Sequence, residues 1–284
     1  MILVDMNQVT LSNLMIQVGR NAEVDPDMVR HMVLNSLRGY RNRFNEEFGE
    51  LVLCYDNKGN WRREYFPNYK HGRRKDRKAS TLDWGSIFDT LHLIKTELQD
   101  NFPYKVLEVE NAEADDIIAS VVRYVAESPS HYEKVLIVSG DKDFIQLQKH
   151  NFVTQYSPVL KKFVNGIDPE VYIKEHVLKG DRSDGVPNFL SPDNTFVDEM
   201  RQRPISKKKL ATWVDLEPED FCNEEMLRNY QRNRTLIDLE YAPTEIHDAC
   251  VDTYLNSTVN DRSGLLNYFI KHRLKNHMEN IGDF

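Results

Sequence analysis

Acidic residues recur along this chain where an apolar, strand-like run ends or where a helix begins. Asp5 closes the run Ile2-Leu-Val-Asp5, and Asp56 closes the run Leu51-Val-Leu-Cys-Tyr-Asp56. The carboxyl ends of parallel strands share one edge of a sheet, and ligands bind in the crevice outside it, so acids from distant segments can meet there. The complete set of such acids is Asp5, Asp56, Glu113, Asp115, Asp116, Asp141, Asp143, Asp181 and Asp184.

Nine carboxylates in one crevice would repel one another strongly, and multivalent cations make such a cluster tolerable. Mg²⁺ prefers oxygen ligands, with Mn²⁺ as the alternative, and both ions point to phosphate chemistry. Taken singly, Asp115, Asp116 and Asp143 could instead cap helices or complement helix dipoles. Asp5 and Asp56 lie at strand ends where no helix cap explains them, so the set as a whole favours a metal centre.

The hydrophobic pattern alternates short strands with amphipathic helices. Strands are predicted over residues 2–5, 51–56, 104–109 and 134–138, and helices over residues 27–48, 81–99 and 114–126. Asp25-Pro26 is a start signal for the first of these helices. This alternation predicts an α/β fold with a mostly parallel central sheet flanked by helices.

Beyond Gly166 the pattern changes to polar helices with little strand signal, beginning with a helix over residues 168–178. We therefore predict an α/β core over residues 1–165 and a helical C-terminal domain over residues 166–284.

The composition is that of a globular protein, with 40% hydrophobic and 29% charged residues among 284. No apolar run approaches the roughly 18 residues of a membrane span, and Met1 leads directly into a strand. The three widely spaced cysteines, Cys54, Cys222 and Cys250, suit neither a disulfide framework nor a zinc site. We expect a cytoplasmic protein with reduced, mostly buried thiols and no membrane partner.

The net charge of −8 argues against a polyanionic partner until its distribution is considered. Residues 61–78 contain eight basic and two acidic side chains, a local charge of +6, interleaved with Trp61, Tyr65, Phe66 and Tyr69. Such interleaving suits a nucleic-acid strand held by its phosphates and stacked through its bases, although charge runs are more often solvated loops. Gly59, Pro67 and Gly72 interrupt any helical period, so residues 57–80 are predicted to form a long excursion from the sheet.

We predict that nucleic acid is bound by basic and aromatic residues of this excursion and by a second basic group. These residues are Trp61, Arg62, Arg63, Tyr69, Lys70, Arg73, Arg74, Lys75, Arg201, Arg203, Lys207, Lys208 and Lys209.

Two metal ions about 3.5–4 Å apart can activate a water, clamp a phosphate and stabilise the departing oxygen. Lys70 and Arg73 are the candidates to offset charge that develops on the phosphate. The sequence contains no Ser-His-Asp arrangement, Gly-rich phosphate loop or metal-binding His pair. His31, His71 and His92 are assigned no role, because hard Mg²⁺ prefers oxygen.

The ordered motifs carry a family resemblance. They are Leu3-Val-Asp5, Asp56-Asn57, Trp61-Arg62-Arg63, Tyr69-Lys70, Glu113-Ala-Asp-Asp116, Gly140-Asp-Lys-Asp-Phe144, Gln146-Leu147, Tyr156-Ser-Pro158, and Leu178-Lys-Gly-Asp181 with Asp184. Each motif alone is weak, but the ordered set covers essentially the whole chain and resembles the flap endonuclease or 5′-nuclease family, including its ribonuclease H group from T-even-type phages.

The resemblance implies a PIN-like 5′-nuclease core and a role for each acid. Asp5, Asp56, Asp115 and Asp141 would hold or surround the first metal ion. Asp143, Asp184, Asp181 and Asp116 would serve the second ion, partly through water, with Glu113 supporting the cluster. Lys70 and Arg73 would lie on an arch over the site and contact the scissile phosphate, so that Asp5, Asp56, Asp141, Lys70 and Arg73 form the catalytic set.

The same resemblance implies a Mg²⁺-dependent 5′ to 3′ exonuclease and flap endonuclease that removes RNA primers during phage lagging-strand replication. Its substrates would be RNA–DNA hybrid, 5′-flap and duplex DNA, with the helical C-terminal domain binding DNA. A single-strand DNA-binding protein and a sliding clamp are the implied replisome partners of a monomer in the bacterial host cytoplasm.

One departure from the family pattern concerns potassium. Most members carry Gly-Val-x-Gly-Ile-Gly after the last acidic motif, whereas this chain reads Asp184-Gly-Val-Pro-Asn-Phe-Leu-Ser-Pro-Asp193. This difference argues against K⁺ binding and against the usual grip on duplex DNA.

Three alternatives remain. An inert DNA-binding protein of the same fold would keep the basic arch and lose acids, yet none is missing. A PIN-like RNA-processing ribonuclease would share the acidic edge, but such domains are usually short. An aspartate-nucleophile phosphatase would need a second Asp at the position of Asn7. The C-terminal residues Ile281 to Phe284 are interpreted as a frayed terminus rather than a docking tail.

Overall fold

The computed structural model describes residues 1–18, 24–128 and 133–284. Its centre is one six-stranded sheet in the order β3-β2-β1-β4-β5-β6. The strands are β1 (Ile2–Asp5), β2 (Leu51–Tyr55), β3 (Lys105–Glu108), β4 (Val135–Val138), β5 (Val153–Ser157) and β6 (Lys162–Val164). All neighbouring strands are parallel except β5 and β6, which confirms the predicted mostly parallel sheet.

Helices precede, connect and follow these strands. The α-helices are α1 (Met6–Val18), α2 (Pro26–Phe48), α3 (Trp61–Tyr65), α4 (His71–Ala79), α5 (Trp84–Asn101), α6 (Ala114–Glu127), α7 (Pro169–Lys179), α8 (Lys207–Val214), α9 (Pro218–Phe221), α10 (Glu224–Ile237), α11 (Thr244–Asn256), α12 (Leu265–Lys271) and α13 (Lys275–Met278). Short 3₁₀ helices cover Lys142–Lys149, Leu239–Tyr241, Arg262–Gly264 and Ile281–Asp283.

The sheet is buried on both faces, as the alternation of β1 shows. Ile2 and Val4 point toward a core shared with α1, α2, α5 and α12. Leu3 points to the opposite face, where α6 and α11 pack. Because both faces are covered, strands β1, β2 and β4 consist of continuous apolar runs, apart from Asp5 at the end of β1, and all their residues are buried.

The predicted start of α2 is confirmed in detail. The Asp25 side chain accepts a hydrogen bond from the Asp27 amide, and Pro26 occupies the first helical turn. Cys54 and Cys250 are buried free thiols, as expected. Within the described ranges, no helix has the length and apolar character of a membrane span.

The C-terminal part of the chain contributes to two regions. Helices α7 to α10 pack around two small apolar clusters. One includes Phe189, and the other joins Leu236 to Phe66 and Tyr69. Helices α11 and α12 return to opposite faces of the sheet, where Cys250 and Phe269 are fully buried. The division at residue 166 stays a prediction.

Several sequence-based expectations were wrong. The pattern did not reveal α1, β5 or β6. Residues 57–80 leave the sheet as predicted, but the sequence pattern did not reveal that they contain two helices, α3 and α4. The Asn60 side chain caps α3 by accepting a hydrogen bond from the Arg62 amide. The terminus is not frayed, because Phe284 is fully buried between Phe102 and Phe269.

Candidate active site

The predicted acids converge at the carboxyl ends of the parallel strands. Asp5 ends β1, Asp56 follows β2, and Asp141 follows β4 beyond Ser139-Gly140. β1 lies between β2 and β4, so the chain crosses to opposite sides of β1 and leaves a crevice at its end. Eight of the nine acids line one cleft of about 720 Å³, namely Asp5, Asp56, Glu113, Asp115, Asp141, Asp143, Asp181 and Asp184.

A first group of carboxylates consists of Asp5, Asp56, Asp115 and Asp141. Hydrogen bonds from neighbouring segments orient three of them. Asp5 accepts from the Ser139 hydroxyl at 2.9 Å and from the Gln8 amide at 3.0 Å. Asp56 accepts from the Ala114 amide at 2.8 Å, which connects the end of β2 to the start of α6. Asp141 accepts from the Asp143 amide at 3.0 Å. These three carboxylates all line the cleft, and each keeps further oxygen lone pairs that could bind an ion.

The first group carries uncompensated negative charge. Burial and the charge of Asp56 raise the pKa of Asp5 to about 7. Burial and the charge of Asp143 raise the pKa of Asp141 to about 6. Burial also raises the pKa of Asp115 well above its usual value, with Asp141 and Asp5 adding repulsion. Oxygen-only donors that repel one another at neutral pH fit a hard divalent cation, which would relieve this repulsion.

A second group of donors lies beside the first and includes a histidine. His176, near the end of α7, places Nε2 3.2 Å from Asp143 Oδ1 and 3.7 Å from Asp181 Oδ2. These three side chains could share one ion, since their donor atoms lie within 4.8 Å of one another. Burial alone would lower the pKa of His176, but the carboxylates of Asp143 and Asp181 outweigh it and raise that pKa.

Asp116 does not face the cleft, so its prediction as a metal ligand is corrected. It is fully buried and accepts hydrogen bonds from Trp61 Nε1 at 3.2 Å, Arg62 Nη1 at 2.8 Å and the Glu113 amide at 2.9 Å. Its other oxygen lies 2.8 Å from Arg62 Nη2. Adjacent residues of a helix point about 100° apart, so Asp115 faces the cleft while Asp116 points away from it and binds Trp61 and Arg62 of α3.

Glu113 connects that lower layer to the cleft. It accepts from the Tyr69 hydroxyl at 2.9 Å, forms an ion pair with Lys70, and lies 3.5 Å from Arg62. Burial opposes ionisation, but the charges of Lys70 and Arg62 lower the pKa of Glu113 to about 2. Glu113 is therefore an anion already neutralised by the protein.

Lys70 is held rigidly at the rim. Its φ of 54° is left-handed, a conformation that costs a non-glycine residue about 1–2 kcal/mol. Its amide donates to the Asp184 carbonyl at 2.7 Å, and its ammonium lies 3.6 Å from Asp184 Oδ2. Arg73 pairs with the same carboxylate. Burial raises the pKa of Asp184, although the charges of Lys70 and Arg73 oppose this effect. The contacts with Asp184 place both cations beside the acidic centre.

The cleft is also lined by cations. Within the described part of the chain, Arg63, Arg74 and Arg77 line it and form no ion pair with a carboxylate. Arg77 is held over two rings, 5.3 Å from the centroid of Trp84 and 5.0 Å from that of Phe88. Burial, together with the charges of Arg73 and Arg63, lowers the pKa of Arg77. Arginines that line a cleft without forming ion pairs indicate a site for a polyanion.

Comparison with known proteins decides the family. Residues 14–178 match the family described as 5′-3′ exonuclease, N-terminal resolvase-like domain, and residues 167–284 match the family described as T4 RNase H, C terminal. The chain belongs to the 5′-3′ exonuclease family. It is 32% identical over 292 residues to the ribonuclease H of Enterobacteria phage T4, across 99% of this chain and 95% of that protein. The predicted family is thus confirmed.

Solved structures share the fold at lower identity. A phage T5 5′-exonuclease with bound zinc has a TM-score of 0.60 and 16% identity, covering 90% of this chain and 98% of that one. A bacteriophage T5 flap endonuclease in complex with DNA and metal ions has a TM-score of 0.56 and 17% identity, covering 89% and 91%. The PIN-like 5′-nuclease fold is therefore confirmed for this chain.

The predicted nucleic-acid-binding residues divide into buried and accessible groups. Trp61, Arg62 and Tyr69 are only 5%, 2% and 3% exposed, so they support the acidic centre and do not present surfaces for bases. The prediction of base or phosphate contacts is corrected for these three. The remaining residues reach the cleft or the outer surface, namely Arg63, Lys70, Arg73, Arg74, Lys75, Arg201, Arg203, Lys207, Lys208 and Lys209.

Sequence reasoning missed two residues of this site. His176 lies in a polar helix whose pattern gave no reason to separate it from other histidines, and the packing of α7 beside the Lys142–Lys149 helix brings it to Asp143. Arg77 was counted within the basic run, but the sequence could not show that it lacks an acidic partner. The sequence signal that could have singled out Arg77 is the pair of aromatic residues Trp84 and Phe88 at the start of the next helix, since Arg77 stacks on both rings.

Proposed function

We propose that this protein is a Mg²⁺-dependent 5′ to 3′ exonuclease and flap endonuclease that hydrolyses phosphodiester bonds at the strand-end cleft. The observation that carries the proposal is one cleft that is lined both by carboxylates that repel one another and by arginines that form no ion pair. A phosphodiester strand bound along it would place phosphates among the arginines and one phosphate beside the acids. An inert DNA-binding protein would have no use for carboxylates that repel both one another and DNA.

The residues present fit two divalent ions. Asp5, Asp56, Asp115 and Asp141 would hold or surround one ion, and Asp143, Asp181 and Asp184 would serve the other. When bound, two such ions supply an activated nucleophile and stabilise charge on both the attacking and leaving oxygens. Mg²⁺ suits the oxygen-rich first group, with Mn²⁺ as a substitute.

The chain's own cations would act on the phosphate directly. The Lys70 ammonium is held by Glu113 and lies close to Asp184, so it can reach an oxygen of the scissile phosphate without reorganisation. Arg73 can shift from Asp184 toward the same phosphate when divalent ions neutralise that carboxylate. The Ser139 hydroxyl and the Gln8 amide keep Asp5 oriented while the strand binds.

The substrates we propose are those indicated by the names of the related proteins. The T4 relative is named ribonuclease H, and a T5 structural relative is a flap endonuclease bound to DNA. We propose that RNA–DNA hybrid, 5′-flap and duplex DNA are cleaved here, as in RNA primer removal during phage lagging-strand replication in the host cytoplasm. Arg201, Arg203 and Lys207 to Lys209 are exposed around the start of α8 and would bind duplex backbone.

The test is cleavage of a labelled 5′-flap substrate and a DNA-annealed RNA primer, with Mg²⁺ or with EDTA. We expect short 5′ products only with Mg²⁺, and at least about a hundredfold slower cleavage by Asp141→Asn. The matched control is Asp168→Asn, which removes a carboxylate at the start of α7, outside the cleft, and should cleave normally. Binding of either substrate without cleavage by the wild-type protein would favour the inert DNA-binding alternative.

A further inference from the structure

The second group of donors differs from the first because one member is a nitrogen atom. Asp143, His176 and Asp181 surround a common point, with donor atoms within 4.8 Å of one another. Asp143 follows β4 within the Lys142–Lys149 3₁₀ helix, His176 belongs to α7, and Asp181 follows the Gly180 turn. Three separate segments therefore deliver these side chains to one place.

The His176 Nε2 atom is buried and has no hydrogen-bond partner among the residues that the structure describes. It lies 3.2 Å from Asp143 Oδ1, which is close enough for an ion pair when the ring is protonated, but without the geometry of a hydrogen bond. A buried polar atom left unsatisfied costs about 1–3 kcal/mol, so such an atom calls for an explanation. An ion between Nε2 and the two carboxylates would satisfy it.

The imidazole is fixed in this orientation by its surroundings. The Tyr172 ring, one turn earlier on α7, stacks on it with centroids 5.5 Å apart and planes at 28°. The Gly180 amide donates to the His176 carbonyl at 2.8 Å, which ends the helix just beyond the histidine. The ring therefore approaches Asp143 and Asp181 along a defined direction.

Asp181 has one oxygen available for an ion. Its Oδ1 accepts from the Ser183 amide and hydroxyl, both at 2.7 Å. Its Oδ2 is the atom that faces His176, at 3.7 Å. The turn thus fixes the carboxylate with its second oxygen toward the histidine.

We propose that His176 is a direct nitrogen ligand of the second ion, bound together with Asp143 and Asp181. This inference rests on the proposed metal-dependent function and specifies one site within it. Imidazole suits first-row transition ions better than Mg²⁺, whereas carboxylates alone suit Mg²⁺. The two positions therefore differ in preference: the all-oxygen position accepts Mg²⁺, and the His176 position favours Mn²⁺ or Zn²⁺.

The test is pulsed electron paramagnetic resonance of the full-length protein loaded with Mn²⁺, produced with ¹⁴N-histidine or ¹⁵N-histidine. We expect nitrogen coupling to bound Mn²⁺ that changes with the isotope and is absent from His176→Asn. The matched control is His92→Ala, because His92 lines the cleft but does not belong to the group of Asp143, His176 and Asp181, so its removal should leave the coupling unchanged. Thermal unfolding of both variants in EDTA would show that each is folded.

A second readout compares the two metals by equilibrium competition. His176→Asn should reduce the preference of the second position for Mn²⁺ over Mg²⁺ about tenfold or more. Bound Mn²⁺ without nitrogen coupling, or coupling that persists in folded His176→Asn, would overturn the role of His176 and leave the metal-dependent function intact. Failure of the wild-type protein to bind Mn²⁺ at all would overturn both.

Discussion

Asn in place of Asp116 should destabilise the protein strongly, although the same change at Asp141 should not. Asp116 is fully buried and makes a two-point ion pair with Arg62, which is 2% exposed. Asp116→Asn leaves the Arg62 guanidinium buried without a counter-charge. Glu113, at 3.5 Å from Arg62, supplies only partial compensation.

The magnitude follows from the cost of breaking a buried ion pair from one side. That cost is about 3–5 kcal/mol of the free energy of unfolding. In a chain of this size, each kcal/mol moves the melting temperature by about 2 °C, so we expect a decrease of roughly 6–10 °C. Arg62→Met together with Asp116→Asn removes the stranded charge and should be less destabilised than Asp116→Asn alone.

Urea and thermal unfolding in EDTA at pH 7.5 measure this effect without metal binding. The matched variant is Asp141→Asn, which removes a repelled carboxylate from the cleft and should raise the stability of the metal-free protein. A lower free energy of unfolding for Asp116→Asn and a higher one for Asp141→Asn would distinguish the structural role of Asp116 from the metal-binding role of Asp141. Asp116→Asn unfolding within about 1 kcal/mol of wild type would refute the reasoning.

Three further predictions concern pH, nucleic-acid binding and the C-terminus. The pKa values of Asp5 and Asp141 are raised in the folded state to about 7 and about 6, so the folded metal-free protein binds protons more tightly than the unfolded chain. Its free energy of unfolding should therefore fall as pH rises from about 4 to about 7, and saturating Mg²⁺ should reverse that trend in chemical denaturation. Arg77→Ala should weaken flap binding and lower the salt-dependence slope by about one, measured by fluorescence anisotropy, while Arg123→Ala, which breaks a surface ion pair on α6, should change neither. Phe284→Ala should lower the free energy of unfolding in urea by about 3–5 kcal/mol, because this ring is fully buried. An unfolding midpoint equal to that of the wild-type protein would instead indicate a frayed terminus.

The acidic centre could be predicted because its signal is local in sequence. Asp5 and Asp56 each end an apolar run, and parallel pairing of β1 with β2 then places them at one edge. The alternation of strands and helices was equally visible, because short apolar runs typical of buried strands alternate with segments whose apolar residues have helical spacing. No knowledge of distant contacts was needed for either inference.

The missed and corrected features depend on contacts between distant segments. Asp115 and Asp116 are adjacent acids, and only the position of Arg62, 54 residues away in sequence, shows that Asp116 is neutralised. Trp61 and Tyr69 looked like stacking platforms because a basic run surrounds them, yet both are buried beneath the cleft. His176 reaches the acids only through the packing of α7 beside the Lys142–Lys149 helix.

The central claim is that three strand ends, the start of α6 and the Gly180 turn bring carboxylates together to hold two divalent ions. Anomalous X-ray diffraction from crystals of the full-length protein grown with Mn²⁺ tests it most directly. We predict two peaks about 3.5–4 Å apart, one among Asp5, Asp56, Asp115 and Asp141, and one beside Asp143, His176 and Asp181. Crystals with no peak in this cleft, or with Mn²⁺ bound only at other acidic surfaces, would contradict the account.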